Sequence, residues 1–313
     1  MKIAVLSDFH LGTKPDSERE NDSFDQAQNA IEKALDLGAQ VILIAGDIFD
    51  SRIPNQEVLS KAMKILTLAS ERSNDHVNLV DTIDKNRNEI SALPIRGVPV
   101  VAIHGNHERR GKGFVDSIET LESAGLAIRL HHNSIVFESD EGKIAIHGMG
   151  YVPEEYALDV LNEWDPEPIK YAMNIFMIHQ GLGKFTFSLE KESALQPSDV
   201  PKGFDIYISG HVHYQAESKI NDTPLIFPGS TIRTQLLPIE AEKSKGFYLL
   251  DVASDEINYR FVEIDNVREF IYKEKEFEDA LPSQVEEWIL GELDKIREES
   301  LNNKDKIPLV RFK

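Results

Sequence analysis

Several apolar segments of this sequence end in side chains that can bind metal ions or transfer protons. Val41–Ile44 is an apolar run that leads into Gly46 and Asp47, a pattern that predicts a buried strand with a carboxylate at its carboxyl end. Ligands of open α/β sheets bind at that edge. An aspartate in this position can equally be a loop cap, so the interpretation depends on the other strand ends with such side chains. These are Asp8-Phe9-His10, Gly105-Asn106-His107, His179-Gln180-Gly181 and Gly210-His211-Val212-His213.

Together these segments offer imidazole nitrogens, carboxylate oxygens and an amide oxygen, and they hold five of the ten histidines in the chain. A single loop histidine is more often a structural group than a ligand, but five such motifs in one chain indicate a metal centre. Cysteine is absent, which excludes disulfides and thiolate metal sites. Ligands of this kind suit Mn²⁺, Fe²⁺ or Zn²⁺, and the share of oxygen atoms favours Mn²⁺.

Length and composition restrict the class of protein. The chain has 313 residues, of which 41% are hydrophobic, enough for one large globular domain or for one domain with a smaller appendage. It contains no apolar run of about 18 residues and no signal-peptide pattern, so we expect a soluble, cytoplasmic protein with no membrane partner. The formal net charge of −20 argues against a generally basic surface, and DNA binding would need a local patch.

The elements that must position these side chains alternate between strand and helix in the first part of the chain. A polar insertion at residues 71–93 interrupts the alternation, and the weak spacing of Val77, Val80 and Ile83 predicts that it is partly helical. The strands are predicted at residues 2–7, 41–44 and 98–103, and the helices at 24–35, 54–69 and 114–124.

The second part of the chain has a different pattern. After Gly125 the sequence predicts short strands separated by turns, and then a helix at residues 285–301. A domain boundary is expected between Glu240 and Glu269.

The motifs D-x-H, GD, GNH, H and GHxH, in this order, resemble the pattern of the calcineurin-like metallophosphoesterase superfamily. A narrower resemblance is to the nuclease subunits, of archaeal type, of the DNA double-strand-break repair complex. It covers about residues 1–265 and implies an α/β fold, a two-layered β-sandwich flanked by helices in four layers, α/β/β/α. It also implies a nuclease domain over residues 1–250 and the start of a small α+β DNA-capping domain over 265–313. The segments that carry the narrower resemblance are Leu11-Gly12, Ile146-His147-Gly148-Met149, Met177-Ile178-His179-Gln180-Gly181, Phe227-Pro228-Gly229-Ser230 and Lys245-Gly246-Phe247-Tyr248.

Carried over residue by residue, the resemblance implies a centre of two divalent metal ions bridged by Asp47, with Mn²⁺ the favoured metal. It also implies a catalytic role for His107, which would stabilise the pentavalent phosphorus or protonate the leaving oxygen. The alternative is that His107 only orients a ligand. The implied metal ligands are Asp8, His10, Asp47 and His213 for one ion, and Asp47, Asn106, His179 and His211 for the other.

The function implied by the resemblance is hydrolysis of DNA during double-strand-break repair. The enzyme would be an Mn²⁺-dependent exonuclease on duplex ends and an endonuclease on single strands. One alternative is an enzyme that acts on a small-molecule phosphodiester or a phosphoprotein, and another is a scaffold that has lost catalysis and only binds the partner ATPase. The intact ligand set argues against the scaffold, and the narrower motifs favour the nuclease.

Four basic residues are candidates for binding the DNA backbone beside the metal centre. Arg109, Arg110 and Lys112 follow shortly after His107, and Arg52 lies just beyond the second predicted strand. At the rim of a metal cleft such side chains would contact phosphates. Ordinary solvated charges would give the same sequence pattern.

The sequence departs from the family pattern at Asp50, where some relatives carry a histidine, so a role of this position in placing DNA is in doubt. The resemblance also implies an ABC-type ATPase partner. Residues 308–313 look like a strand cut short, and we expect the segment that binds the ATPase to lie beyond them.

The resemblance implies a homodimer as well. We expect the dimer to form through the helices predicted at residues 54–69 and 114–124, with the insertion beside the contact. In the second helix, Phe114, Ile118 and Leu121 fall on one face. Such a stripe is typical of a core as well as of an interface, and the resemblance favours the interface.

Overall fold

The computed structural model describes residues 1–74, 77–111, 113–186, 195–253, 256–300 and 306–313. Lys112 of the basic candidates and residue 301 of the last predicted helix lie outside these ranges. The strands are β1 (Lys2–Leu6), β2 (Val41–Ile44), β3 (Asn78–Ile83), β4 (Val100–Ala102), β5 (Ile128–Arg129), β6 (Asn133–Ser139), β7 (Gly142–Met149), β8 (Met173–Ile178), β9 (Ile206–Ser209), β10 (Ala216–Ile220), β11 (Thr223–Phe227), β12 (Gly246–Val252), β13 (Ile257–Glu263), β14 (Phe270–Lys273) and β15 (Leu309–Phe312). The α-helices are α1 (Asp22–Asp36), α2 (Gln56–Ser70), α3 (Leu93–Arg96), α4 (Ser117–Ser123), α5 (Glu154–Trp164), α6 (Pro238–Glu242) and α7 (Pro282–Ser300).

Two sheets pack face to face, and helices cover their outer faces. The first sheet has the strand order β13-β12-β1-β2-β4-β5, and the second has the order β10-β11-β9-β8-β7-β6-β3. Helices α1, α2 and α4 pack on the first sheet, and α5 packs on the second. The layers therefore follow the order α/β/β/α, which confirms the predicted fold class.

The alternation of side chains along the first sheet explains why its strands look like continuous apolar runs. In β1, Ile3 and Val5 point into the space between the two sheets, whereas Ala4 and Leu6 pack against the helices. A strand that is buried on both faces needs apolar residues at every position. Since β1, β2 and β4 run parallel in one sheet, and β8 and β9 in the other, the side chains that follow these strands meet at one edge of the sandwich.

The insertion at residues 71–93 is built mainly on a strand. β3 pairs antiparallel with β6 at the edge of the second sheet. Val77 and Leu79 are buried between the sheets, whereas Val80 is exposed, so the apolar period is two and the helical spacing was misleading. In the described part of the insertion, helical structure is limited to a turn at Arg87–Glu89 and the start of α3.

The helices α4, α5 and α6 differ from the sequence prediction. α5 and the short helix α6 lie in the part of the chain that was predicted to hold mostly strands and turns. α4 begins at Ser117, and both Ile118 and Leu121 are buried in the core beneath it. The prediction that these two side chains form a subunit contact is therefore wrong. Phe114, ahead of the helix, is exposed.

The last part of the chain forms a small sheet of its own, in which β14 and β15 pair in parallel. Arg268 fastens this part to the main body. Its guanidinium donates to the carboxylate of Asp22 at 2.6 Å and to the carbonyl groups of Ile307 and Glu18 at 2.7 and 2.9 Å. None of the described helices combines the length and the apolar character needed to cross a membrane.

Candidate active site

The predicted metal ligands lie in the loops that follow the parallel strands, and the backbone of these loops is held in an uncommon conformation. The amide of Asp8 donates to the carbonyl of Gly46, and the amide of His10 donates to that of Asp47, both at 3.0 Å. Non-glycine residues adopt the left-handed region at a cost, and such residues cluster at functional sites. The predicted ligands with a φ in this region are Asp8 (53°), His10 (47°), Asp47 (51°) and His211 (77°).

Two glycines of the motifs allow the loops to approach one another closely. A Cβ atom on Gly105 would stand 2.0 Å from Oδ1 of Asp47, and a Cβ on Gly210 would stand 2.0 Å from the carbonyl oxygen of Ala45. Any side chain at these positions would push the loops after β4 and β9 away from the loop after β2. The GNH and GHxH motifs therefore need glycine to bring their ligands to Asp47.

One group of ligand atoms gathers at the ends of β1 and β9. The Nε2 atoms of His10 and His213 are 3.1 Å apart. Oδ1 of Asp8 lies 3.6 Å from Nε2 of His213 and 3.9 Å from Nε2 of His10. Oδ2 of Asp47 lies 3.9 Å from Nε2 of His10. These are the four residues that the resemblance implied for one metal ion.

A second group lies on the other side of Asp47. Oδ2 of Asp47 is 3.4 Å from Nε2 of His179. Oδ1 of Asn106 is 3.2 Å from Nε2 of His179 and 2.9 Å from Nδ1 of His211. The structure thus brings all the predicted ligands of the second ion together, and it places Asp47 in both groups.

The charges and hydrogen bonds of these groups fit cations. Among the described residues, Oδ1 of Asp8 and Oδ2 of Asp47 are buried and accept no hydrogen bond, which is costly for a carboxylate oxygen. His10 and His213 bring two ring nitrogens within 3.1 Å, which requires a proton or a cation between them. Oxygen and nitrogen ligands at this density suit two divalent ions.

Hydrogen bonds on the far side of the imidazoles determine which ring nitrogen faces the cluster. Nδ1 of His179 donates to the carbonyl of Ala45 at 2.6 Å, and Nδ1 of His10 donates to the carboxylate of Asp50 at 3.1 Å. The Nε2 atoms of both rings are therefore directed at the cluster. Burial, reinforced by the charge of His179, lowers the pKa of His211 to about 3. His211 is thus neutral near pH 7, as a metal ligand must be.

Asp47 and His179 form a buried pair of opposite charges. Burial opposes both charges, but the carboxylate of Asp47 raises the pKa of His179 to about 9. In turn, against the effect of burial, the imidazolium of His179 holds the pKa of Asp47 well below its usual range. A divalent cation would take the place of the proton on His179, so metal binding at this position is coupled to proton release.

His107 lies beside the cluster and is held by both its backbone and its ring. The amide of His107 donates to Oδ1 of Asp47 at 2.9 Å, and Nδ1 donates to the carbonyl of Asp50 at 2.7 Å. Because a carbonyl takes up Nδ1–H, Nε2 is the atom that can exchange a proton with a substrate. Ligand atoms of His107, His10 and Asp47 also lie within 4.8 Å of one another, so the position of His107 fits a catalytic role and a ligand role.

Asp50, where the sequence departs from the family pattern, orients two imidazoles. Its carboxylate accepts from His10 and its carbonyl accepts from His107. Although burial works in the opposite direction, the hydrogen bond from His10 keeps the pKa of Asp50 below its usual value. The residue therefore stays ionised and fixes the direction of both rings.

Sequence reasoning missed Glu108, which connects two of the ligand loops. This buried carboxyl group accepts from the amide of Phe49 at 2.9 Å and from the amide of Gly105 at 2.8 Å. Burial, reinforced by the charge of Asp47, raises the pKa of Glu108 to about 8. The only signal in the sequence was its place directly after the GNH motif. Its partners are backbone amides, which a pattern of side chains does not reveal.

The basic candidates lie on the surface to different extents. Arg52 and Arg109 are exposed, and Arg110 is half-buried. Burial raises the pKa of Tyr151, and the charge of Arg109 works against that rise. The ring centroids of Tyr151 and His211 are 5.8 Å apart, so the charge of Arg109 reaches a side chain that borders the cluster.

The family of the chain follows from a match over most of its length. Residues 1–215 match the family model of calcineurin-like phosphoesterases, and the chain belongs to this family. It is 29% identical to the DNA double-strand break repair protein Mre11 of Methanopyrus kandleri, over 86% of this chain and 58% of that protein. It is 28% identical to the double-strand break repair protein MRE11 of Encephalitozoon cuniculi, over 97% of this chain and 55% of that protein. The human protein MRE11 is 27% identical, over 87% of this chain and 42% of the human one.

These coverages mean that the chain spans little more than half the length of the first two relatives. Among solved structures, the chain is similar to GAP50, the anchor in the inner membrane complex of Plasmodium, with a TM-score of 0.51, 16% identity and coverage of 85% of each chain. At this identity, the likeness shows a common fold.

Proposed function

We propose that this chain is a two-metal phosphodiesterase that hydrolyses DNA in the processing of double-strand breaks. The observation that carries the proposal is the pair of ligand groups that share the carboxylate of Asp47, with Oδ2 at 3.9 Å from His10 and 3.4 Å from His179. The similarity to break-repair proteins of three organisms supports DNA as the substrate.

The proposed site would hold two divalent cations, of which Mn²⁺ is favoured by the oxygen ligands. When bound, they would polarise the phosphodiester and lower the pKa of the attacking water. Asp47 would contact both ions. Asp8, His10 and His213 would complete one site, and Asn106, His179 and His211 would complete the other.

His107 supplies the proton chemistry beside this centre. Asp50 holds the ring through Nδ1, so that Nε2 is available to donate a hydrogen bond to the phosphoryl group or a proton to the leaving oxygen. Positioned groups of this kind act in the transition state, where charge develops on these oxygens.

The proposal is tested by comparing the digestion of duplex and single-stranded DNA in Mn²⁺ with the hydrolysis of bis-p-nitrophenyl phosphate and p-nitrophenyl phosphate. We expect release of nucleotides from duplex ends, cleavage of single strands and slower turnover of the small phosphodiester. If the protein hydrolysed the p-nitrophenyl compounds but did not cleave DNA, the result would instead support an enzyme for small-molecule phosphodiesters or phosphoproteins.

Arg109 and Arg110 are proposed to contact DNA phosphates. The double change Arg109→Gln/Arg110→Gln should weaken DNA binding. The slope of the logarithm of affinity against the logarithm of salt concentration should also become less negative, by about 0.9 for each lost contact. Hydrolysis of bis-p-nitrophenyl phosphate should fall less than DNA binding does, because this substrate has a single phosphate and no backbone beyond it to contact the arginines. The measurement is fluorescence anisotropy with labelled duplex at several salt concentrations.

The matched control is Arg260→Gln, which removes an exposed arginine on β13, a strand at the edge of the first sheet. It should bind DNA as the wild type does. An unchanged salt dependence in the double variant would contradict the assignment of Arg109 and Arg110.

We also propose an isologous two-fold dimer that uses α2 and the segment ahead of α4. Phe114 and Val115 in that segment are 65% and 55% exposed, which makes them the apolar residues available for a contact. Phe114→Glu/Val115→Glu should therefore convert the dimer to a monomer in light scattering, because the charges would be buried without partners. Tyr171→Glu, at a 97% exposed position before β8, should leave the dimer intact. A monomeric wild type, or a dimeric double variant, would contradict this contact.

The remaining parts of the proposal concern the end of the chain. We propose a nuclease domain over about residues 1–250 and the start of a DNA-capping domain over 265–313, which contains β14, α7 and β15. We also propose an ABC-type ATPase as a partner. Co-purification of such an ATPase with this protein tests this part, and its absence from the purified protein would contradict it.

A further inference from the structure

A buried ion pair lies close to the loop that carries two of the proposed metal ligands. The side chains of Lys245 and Glu240 are almost completely buried, and Nζ lies 2.9 Å from Oε1. Because desolvation of two charges offsets most of their attraction, a buried pair contributes little to stability compared with an apolar pair. The other contacts of this pair show what it can do.

Lys245 holds the backbone of His213. Its ammonium group donates to the carbonyl of His213 at 2.7 Å and to the hydroxyl of Ser230 at 2.8 Å. The amide of Ser230 donates to the same carbonyl of His213 at 3.1 Å, and the hydroxyl of Ser230 donates to the carbonyl of Ile232 at 2.6 Å. The backbone of His213 is thus tied to the segment that follows β11.

Glu240 acts on the ring of the same histidine through a turn. One carboxylate oxygen of Glu240 accepts from the amides of Gln235 and Leu236 at 2.8 and 2.7 Å. These bonds fix the turn that begins at Thr234, and the hydroxyl of Thr234 lies 2.5 Å from Nδ1 of His213. The turn therefore determines the orientation of the imidazole, and with it the direction of Nε2.

We infer that Lys245 and Glu240 are positioning residues for His213. Lys245 fixes its backbone, and Glu240 fixes its ring through Thr234, so that Nε2 of His213 faces Asp8 and His10. The inference rests on the proposed metal centre. It also gives a role to two motifs of the sequence that supply no ligand, the PGS motif with Ser230 and the KGFY motif with Lys245.

The test is to measure Mn²⁺ binding by calorimetry for the wild-type protein and for the variants Lys245→Met and Thr234→Val. The measurement is made at a temperature where circular dichroism shows that each protein is folded. Loss of a group that orients a metal ligand lowers metal affinity about 10- to 100-fold. We expect this loss at one of two sites in both variants, because His213 belongs to one ligand group. Thr234→Val leaves the ion pair intact, so it tests the ring contact even if Lys245→Met fails to fold.

Lys85→Met is the matched control. Lys85 pairs with Glu122 at 2.9 Å and its side chain is only 6% exposed, but the pair contacts none of the proposed ligands. The Lys85→Met variant should bind both ions as the wild type does, but it should unfold at a lower temperature. Wild-type affinity at both sites in Thr234→Val and in folded Lys245→Met, or an equal loss at both sites, would overturn the inference. A wild-type protein that binds no Mn²⁺ would overturn the metal centre itself and the inference with it.

Discussion

Replacing Asp47 by alanine is expected to abolish the binding of both metal ions and the cleavage of DNA. Oδ2 of Asp47 lies between Nε2 of His10 and Nε2 of His179, at 3.9 and 3.4 Å, and it is closer to His179 than Oδ1 of Asp8, which lies at 4.0 Å. Without this shared anion, two cations so close together would repel each other. Calorimetry with Mn²⁺ and a nuclease assay on the same preparation measure both effects.

The fold should survive this change. The strands β1 and β2 beneath the site are buried and almost entirely apolar. The carboxylate of Asp47 is what raises the pKa of His179, so without it the imidazole can lose its proton and leaves no buried charge unpaired. The control is Asp84→Ala, which removes an exposed aspartate that also has a positive φ of 55°. Circular dichroism should show the same fold for both variants. If Asp47→Ala degraded DNA in Mn²⁺ at a rate near that of the wild type, the site would be wrongly assigned.

Replacing His107 by alanine is expected to lower the turnover of DNA by about 10²- to 10⁴-fold while both metal ions remain bound. Alanine keeps the backbone amide that donates to Oδ1 of Asp47 at 2.9 Å, so the shared ligand stays in place. The change removes only the imidazole whose Nδ1 is held by Asp50. Steady-state kinetics and calorimetry separate the two quantities.

The outcome distinguishes a catalytic role of His107 from a ligand role. Ligand atoms of His107, His10 and Asp47 lie within 4.8 Å of one another, which a metal ligand would also satisfy. A loss of Mn²⁺ binding in His107→Ala would show that the imidazole is a ligand. Near wild-type turnover with both ions bound would show that it only orients its neighbours.

The sequence predicted which loops come together because each of them follows an apolar strand of a parallel set. Once the parallel strands are paired, Asp8, Asp47 and Asn106 must meet at one edge of the first sheet, and no knowledge of distant contacts is needed. The second sheet supplies His179 and His211 from the ends of β8 and β9 by the same rule. That the two edges face each other followed from the resemblance and is seen in the structure.

The parts that were predicted less well depend on contacts between distant segments. Ile118 and Leu121 have the spacing of an amphipathic helix, which fits a core and an interface alike, and only the packing of α4 on the first sheet decides for the core. β3 is a strand because β6 offers a free edge, whereas its own sequence also has a weak helical period. The positioning roles of Glu108 and Lys245 rest on bonds to backbone atoms, and a sequence pattern does not contain them.

The central claim, a centre of two metal ions bridged by Asp47, is tested most directly by anomalous diffraction from crystals grown with Mn²⁺. We expect two Mn²⁺ peaks in each chain, both in contact with Asp47. One should be surrounded by Asp8, His10 and His213, and the other by Asn106, His179 and His211. A single peak, or two peaks that do not share Asp47, would contradict the account.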